Sequence, residues 1–78
     1  MSAFPVVERI FCELFDVPEG SLSLAAGPQD VPGWDSVAHV KLLLMLEDAG
    51  VSLDPDEALS LHTVGDVVAA VERHRNGR

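Results

Sequence analysis

The segment Gly33-Trp34-Asp35-Ser36, followed by "VAHVKLLLML", is the feature that most restricts how this chain can fold. If a helix starts at Ser36, residues 39, 42, 43, 46 and 49 share one side and residues 37, 40, 41, 44 and 48 the opposite side. A helix on the outside of a small domain normally keeps one face polar. Here both sides carry large apolar residues: His39, Leu42, Leu43, Leu46 and Ala49 on one, and Val37, Val40 and Leu44 with Lys41 and Asp48 on the other. Two arrangements satisfy the pattern. Either the domain surrounds this helix completely, or Leu42 and Leu46 face the core. In the second case Val37, Val40 and Leu44 form an exposed apolar patch rimmed by charge, a common mark of a binding surface.

The rest of the chain is helical in period. Val7, Ile10, Phe11 and Leu14 lie at i, i+3, i+4 and i+7, with Glu8, Arg9 and Glu13 on the other side. Pro5 suits a first turn, and Asp16, Pro18 and Gly20 end the helix. From Asp16 to Trp34 no period is visible, and prolines and glycines punctuate the stretch. So long a connection is unusual in a compact domain and marks a functional loop if it is ordered. Leu22, Leu24 and Ala25 are expected to pin it to the core. A second helix spans 36–49, with Gly50 as its C′ residue. Asp54 as N-cap, Pro55 at the first position and Glu57 closing a capping box start a short third helix ending near Leu59. Thr63 and Asp66 form a second capping box, and Val64, Val67, Val68 and Val71 line a buried stripe. Arg73, His74 and Arg75 suit the negative pole of that last helix, and Asn76, Gly77 and Arg78 are expected to fray. No strand pattern competes. The expected fold class is all-α: a four-helix bundle of three main helices and one short one, with a long loop between helices one and two. Residues 1–78 form one domain in this reading.

Size and charge narrow the function. A chain of 78 residues buries only roughly 60–65% of the surface it exposes when unfolded, and has no room for a deep cleft between subdomains. An independent enzyme is therefore not expected. Thirteen acidic residues against five basic ones give a net charge of −8. That excludes nucleic acid and anionic membrane surfaces, where basic residues must meet phosphate. It favours partners with basic patches, unless it serves only to keep a small domain in solution. The lone Cys12 cannot form an internal disulfide and reads as a small core residue. "MSAFPVVERIF" lacks the basic start and long apolar run of a signal peptide, and the longest apolar run, 42–46, is too short to cross a bilayer. A cytoplasmic monomer is expected.

Ser36 stands at a helix N-terminus, where free N–H groups and the positive dipole end favour a phosphate. Asp35 beside it can cap the helix or help to hold a metal ion. Equally, Asp35 or Ser36 is simply an N-cap. Local physics does not choose between these. A Ser36-His39-Asp35 triad is rejected, because all three lie within about one helical turn and no cleft supplies an oxyanion hole. "DPDE" lacks the alternating ligands of a calcium loop, so no metal site is assigned. Trp34, with nothing basic around it, is expected to anchor the loop beside Ser36 rather than to stack on a base. His62 and His74 need no role beyond solvated or dipole-complementing positions.

"GWDSVAHVKLLLMLEDAGVSL" resembles the phosphopantetheine attachment region of the acyl carrier protein family. The matching features are Asp35-Ser36-Val37, Leu46-Glu47 and Gly50-Val51, and "LHTVGDVVAAVE" is similar to the start of the family's last helix. The resemblance implies that a phosphopantetheinyl transferase modifies Ser36 from coenzyme A, with Asp35 positioning metal and phosphate. It implies that Val37, Val40 and Leu44 dock partner enzymes, together with Lys41 and an acidic rim of Glu47 and Asp48. An acyl or aminoacyl group would ride on the arm as a thioester, and the protein itself would catalyse nothing. Three residues depart from the pattern. Val37 replaces a leucine, and His39 and Lys41 stand where carriers for fatty acid biosynthesis usually have polar or acidic residues. A specialised pathway, such as polyketide biosynthesis or aminoacyl or D-alanyl transfer, follows more readily. A peptidyl carrier's Gly-Gly-x-Ser is not matched by Pro32-Gly33-Trp34-Asp35. A small helical interaction module without a prosthetic group is the rival from another class.

Overall fold

The computed structural model describes residues 3–76. They form four helices in the order α1 (Phe4–Phe15), α2 (Ser36–Asp48), α3 (Pro55–Leu59) and α4 (Val64–Asn76), and no strand occurs among them. The expected all-α bundle of three main helices and one short one is therefore the architecture. Asn76 is the last residue of α4, while Gly77 and Arg78 lie outside the described residues.

Helix α1 packs against both α2 and α4. It buries Val7, Ile10 and Phe11, with Leu14 half-buried at the edge of the stripe. No side chain caps its start; instead the buried Ala3 donates its N–H to Glu72 Oε2 of α4 at 3.0 Å. Its end is made by Asp16, whose left-handed φ of 57° suits one of the few non-glycine residues that tolerate it. Cys12 is half-buried, and burial with the nearby Glu8 and Glu19 pushes its thiol up.

The loop between α1 and α2 is ordered by contacts other than the expected ones. Leu24 and Ala25 are exposed, and only Leu22 of the three expected anchors is half-buried. Val31 and Trp34 are buried in their place. Trp34 meets Phe11 edge-on at a centroid distance of 5.1 Å and touches Phe15 at 6.0 Å, which fixes the loop's exit beside α2. The middle of the loop is fastened by backbone. Leu24 and Ala26 accept hydrogen bonds from the N–H groups of Gly65 (2.8 Å) and Val64 (2.9 Å), two of the otherwise unpaired donors of the first turn of α4.

The caps follow the sequence closely. Asp54 accepts the Glu57 N–H at 2.8 Å, and Thr63 and Asp66 exchange hydrogen bonds at the start of α4. The stripe of Val64, Val67, Val68 and Val71 is buried, joined by Ala70. Helix α2 buries Leu42 and Leu46 and ends in Gly50 at φ +91°; Ala49, expected on the buried side, is exposed at the C-cap. The Glu57 side chain turns to α4, where it meets Arg73 and His74, each at 2.9 Å. Those two residues thus hold α3 rather than merely complementing a helix pole. The His74 and then the Arg73 hydrogen bonds bring the Glu57 carboxyl down to about 2.

Candidate functional site

The turn into α2 assembles the site. Asp35 is extended (φ −115°, ψ −170°), and its Oδ1 accepts the Ala38 N–H at 2.9 Å. Its backbone carbonyl accepts the His39 N–H at 2.8 Å. Asp35 is therefore the N-cap and Ser36 is the first helical residue. The Ser36 hydroxyl is exposed and has no partner among the described residues, and neither do the backbone N–H groups of Ser36 and Val37. A free hydroxyl, two free donors and the positive end of a three-turn helix suit a phosphate ester.

Beside Ser36 an open groove of about 540 Å³ runs between the loop's exit, the start of α2 and α3. One wall carries Trp34 and the other Ala58 and Leu59, with His39 between them. Trp34 Nε1–H donates to His39 Nδ1 at 3.0 Å, and His39 Nε2 lies 3.0 Å from the Ala58 carbonyl. Indole N–H is a donor only, so Nδ1 must be bare and the His39 proton sits on Nε2, donated to Ala58. This bridge holds His39, half-buried, between the loop's exit and α3, at the margin of the side of α2 that it shares with Leu42 and Leu46. Trp34 lies outside the helix, so helical spacing gives no sign of the pairing.

The outer side of α2 is exposed. Val37, Val40 and Leu44 are 67%, 56% and 56% accessible, and Leu59 of α3 adds a fourth apolar residue at 75%. Of the two packings open in the sequence, the exposed patch is therefore the one adopted. Leu59 was invisible there because it belongs to a different helix. Lys41, Glu47 and Asp48 are also exposed, and Lys41 has no ion pair among the described residues. No group of three or more metal-ligating side chains comes together among the described residues, and no helix there is long and apolar enough to cross a membrane.

Residues 5–71 match the family model described as the phosphopantetheine attachment site, and the chain belongs to that family of carriers. A solved relative gives the finer class. The chain is similar to the solution structure of a holo acyl carrier protein from Geobacter metallireducens, with a TM-score of 0.85 and 26% identity over 96% of this chain and 87% of that one. This is an acyl carrier protein fold, a carrier rather than an enzyme, and its prosthetic group is covalently attached phosphopantetheine. The free hydroxyl and donors at the start of α2 fit such a group. The rival reading, an interaction module without a prosthetic group, is set aside. Carriers of this family work with phosphopantetheinyl transferases and biosynthetic enzymes.

Proposed function

We propose that Ser36 is the attachment residue, and that residues 1–78 act as one carrier domain presenting an acyl or aminoacyl group to successive enzymes. The observation that carries this reading is the exposed, unpartnered Ser36 hydroxyl at the first position of α2. When bound, the arm supplies a terminal thiol that takes up the carried group as a thioester. The chain's own residues do the rest. Asp35 holds the turn, leaving the N–H groups of Ser36 and Val37 to face the phosphate, with its second carboxylate oxygen available to a divalent cation during transfer.

Partners dock on Val37, Val40 and Leu44, with Glu47 and Asp48 meeting their basic residues. Lys41 refines the partner class. Its helical neighbours at i±3 and i±4 are Val37, Ala38, Leu44 and Met45, so no carboxylate on α2 neutralises it. An enzyme face that is uniformly basic would be repelled at this point, and a cognate one offers an acidic residue there. That supports a dedicated carrier in a specialised pathway, of the polyketide, aminoacyl or D-alanyl kind, over general fatty acid synthesis. A cytoplasmic monomer fits this role.

The test uses coenzyme A, magnesium and a promiscuous phosphopantetheinyl transferase, with intact mass read for the wild type and Ser36→Ala. A gain of one phosphopantetheine in the wild type and none in the variant is expected. An equal gain in both would remove Ser36 from the role.

A further inference from the structure

The two margins of the exposed side of α2 border different things. At about 100° per residue, Val37, Val40, Lys41, Leu44, Glu47 and Asp48 fall within an arc of about 120° centred on Leu44. Val40 and Glu47 lie on one margin of that arc, Lys41 and Asp48 on the other. The first margin borders α3: Val40 lines the groove beside Ser36, and Leu59, 75% accessible, lines it from α3. The second borders α1: Asp48 lines a separate depression with Pro5, Arg9 and Glu13, and Lys41 stands two turns earlier on the same margin. The apolar surface thus continues from α2 across the groove to Leu59, while Lys41 stands on the margin away from α3. Inside the groove the polar atoms of Trp34, His39 and Ala58 pair with one another, so what it offers a visitor is apolar.

The charges are also ordered along the helix. At 1.5 Å per residue, Lys41 stands about 7–8 Å along the axis from Ser36, and Glu47 and Asp48 about 16–18 Å. The separation of about 9–10 Å between the two signs is close to the screening length in 0.1 M salt, so a partner meets them separately rather than as their sum. Neither sign is cancelled nearby: Lys41, Glu47 and Asp48 are exposed, and none has an ion-pair partner among the described residues. Asp35, the other charge beside Ser36, lines the groove instead, where its Oδ1 is held by the Ala38 N–H.

We propose that this face accepts a partner in one orientation only, with an apolar side chain seated between Val40 and Leu59, an acidic residue opposite Lys41, and basic residues opposite Glu47 and Asp48. Turned end for end, the same partner would set a base on Lys41 and an acid on Glu47 and Asp48, and both contacts would repel. Lys41 is therefore a specificity-determining residue that acts through orientation. It brings the partner's acidic end toward Ser36 and weakens binding to uniformly basic surfaces. The inference rests on the docking surface proposed above and does not need Ser36 to be modified.

Two synthetic helical peptides with the same apolar face serve as partner probes. The mixed peptide carries basic residues at one end and an acidic residue about 9 Å further along its helix; the other carries basic residues only. Each bears a nitroxide at the same end, the basic end of the mixed peptide. NMR of the full, unmodified chain reads affinity from the methyl shifts of Val40, Leu44 and Leu59, and orientation from paramagnetic broadening of the α2 amides. At low salt the wild type is expected to bind the mixed peptide roughly three- to fivefold more tightly than the basic one, the difference that one surface ion pair makes. Broadening by the mixed peptide should stay at the Glu47–Asp48 end of α2. Lys41→Glu, an exposed substitution, should reverse the preference and spread the broadening to both ends. Leu59→Ser should weaken both peptides alike and leave the orientation unchanged. A wild type with no preference for the mixed peptide, broadening by that peptide at both ends of wild-type α2, or binding that ignores Leu59 would each overturn the proposal. Because the peptides meet the unmodified chain, a failure of Ser36 modification in the transferase assay would defeat the attachment reading and leave this one standing.

Discussion

Replacing Gly65 by alanine sets two effects of opposite sign against each other. Gly65 is the second residue of α4, and alanine in a helix interior is favoured over glycine by about 1 kcal/mol. Sequence alone therefore expects Gly65→Ala to stabilise. The structure reverses the sign. A Cβ at this position would stand 2.9 Å from the Leu24 carbonyl oxygen and 3.4 Å from the Leu24 Cβ. The carbonyl cannot retreat freely, because it accepts the Gly65 N–H at 2.8 Å, while Ala26 in the same segment accepts the Val64 N–H at 2.9 Å. Pushing the loop away costs both bonds, about 1 kcal/mol each. Less than the full helix-interior gain applies in a first turn, so the net is a loss of about 1–2 kcal/mol. For a domain this small that lowers the midpoint of thermal unfolding by roughly 5–15 °C. Melting followed by circular dichroism decides the matter. A variant that melts at or above the wild type would show that the loop backbone is not held against α4.

Three further outcomes follow from burial, capping and charge. Leu42→Ala removes a fully buried side chain and should cost about 2–5 kcal/mol, whereas Leu44→Ala, on the exposed patch, should stay within about 0.5 kcal/mol in urea unfolding and slow transfer to partner enzymes instead. Asp35→Ala loses the cap of α2, should destabilise by about 1 kcal/mol, and should slow modification of Ser36, which a steady-state transferase assay reads. Glu57 titrates near 2 in the folded protein against an ordinary 4.5, so between those values the unfolded chain holds more protons. Its stabilisation is therefore complete above pH 4.5 and lost as pH falls toward 2, and Glu57→Gln should flatten that part of the urea-midpoint profile.

Helical period and capping chemistry are local properties, which is why α1 to α4 and their caps at Asp54 and Thr63 could be read within a residue or two. The double-sided apolar pattern of α2 also carried real information, since Val37, Val40 and Leu44 are exposed as one of its two readings required. What escaped depends on chain segments far apart in sequence. Leu24 and Ala25 looked like anchors because they are apolar, yet it is the loop's carbonyls that hold it to α4, and backbone acceptors leave no trace in side-chain pattern. The spacing Asp54 to Glu57 points to a local cap, but the Glu57 carboxylate reaches Arg73 and His74 on another helix. The groove beside Ser36 was hidden for the same reason, because Trp34, His39 and Ala58 come from a loop and two helices.

The central claim is that one particular hydroxyl carries the arm. Ser21, Ser23, Ser52 and Ser60 are exposed as well, so a change in whole-chain mass does not by itself distinguish them. Fragmentation mass spectrometry of the transferase-modified chain places the phosphodiester on a single residue. The phosphodiester is expected on Ser36 and nowhere else; a phosphopantetheine mapped to any other serine would contradict that assignment.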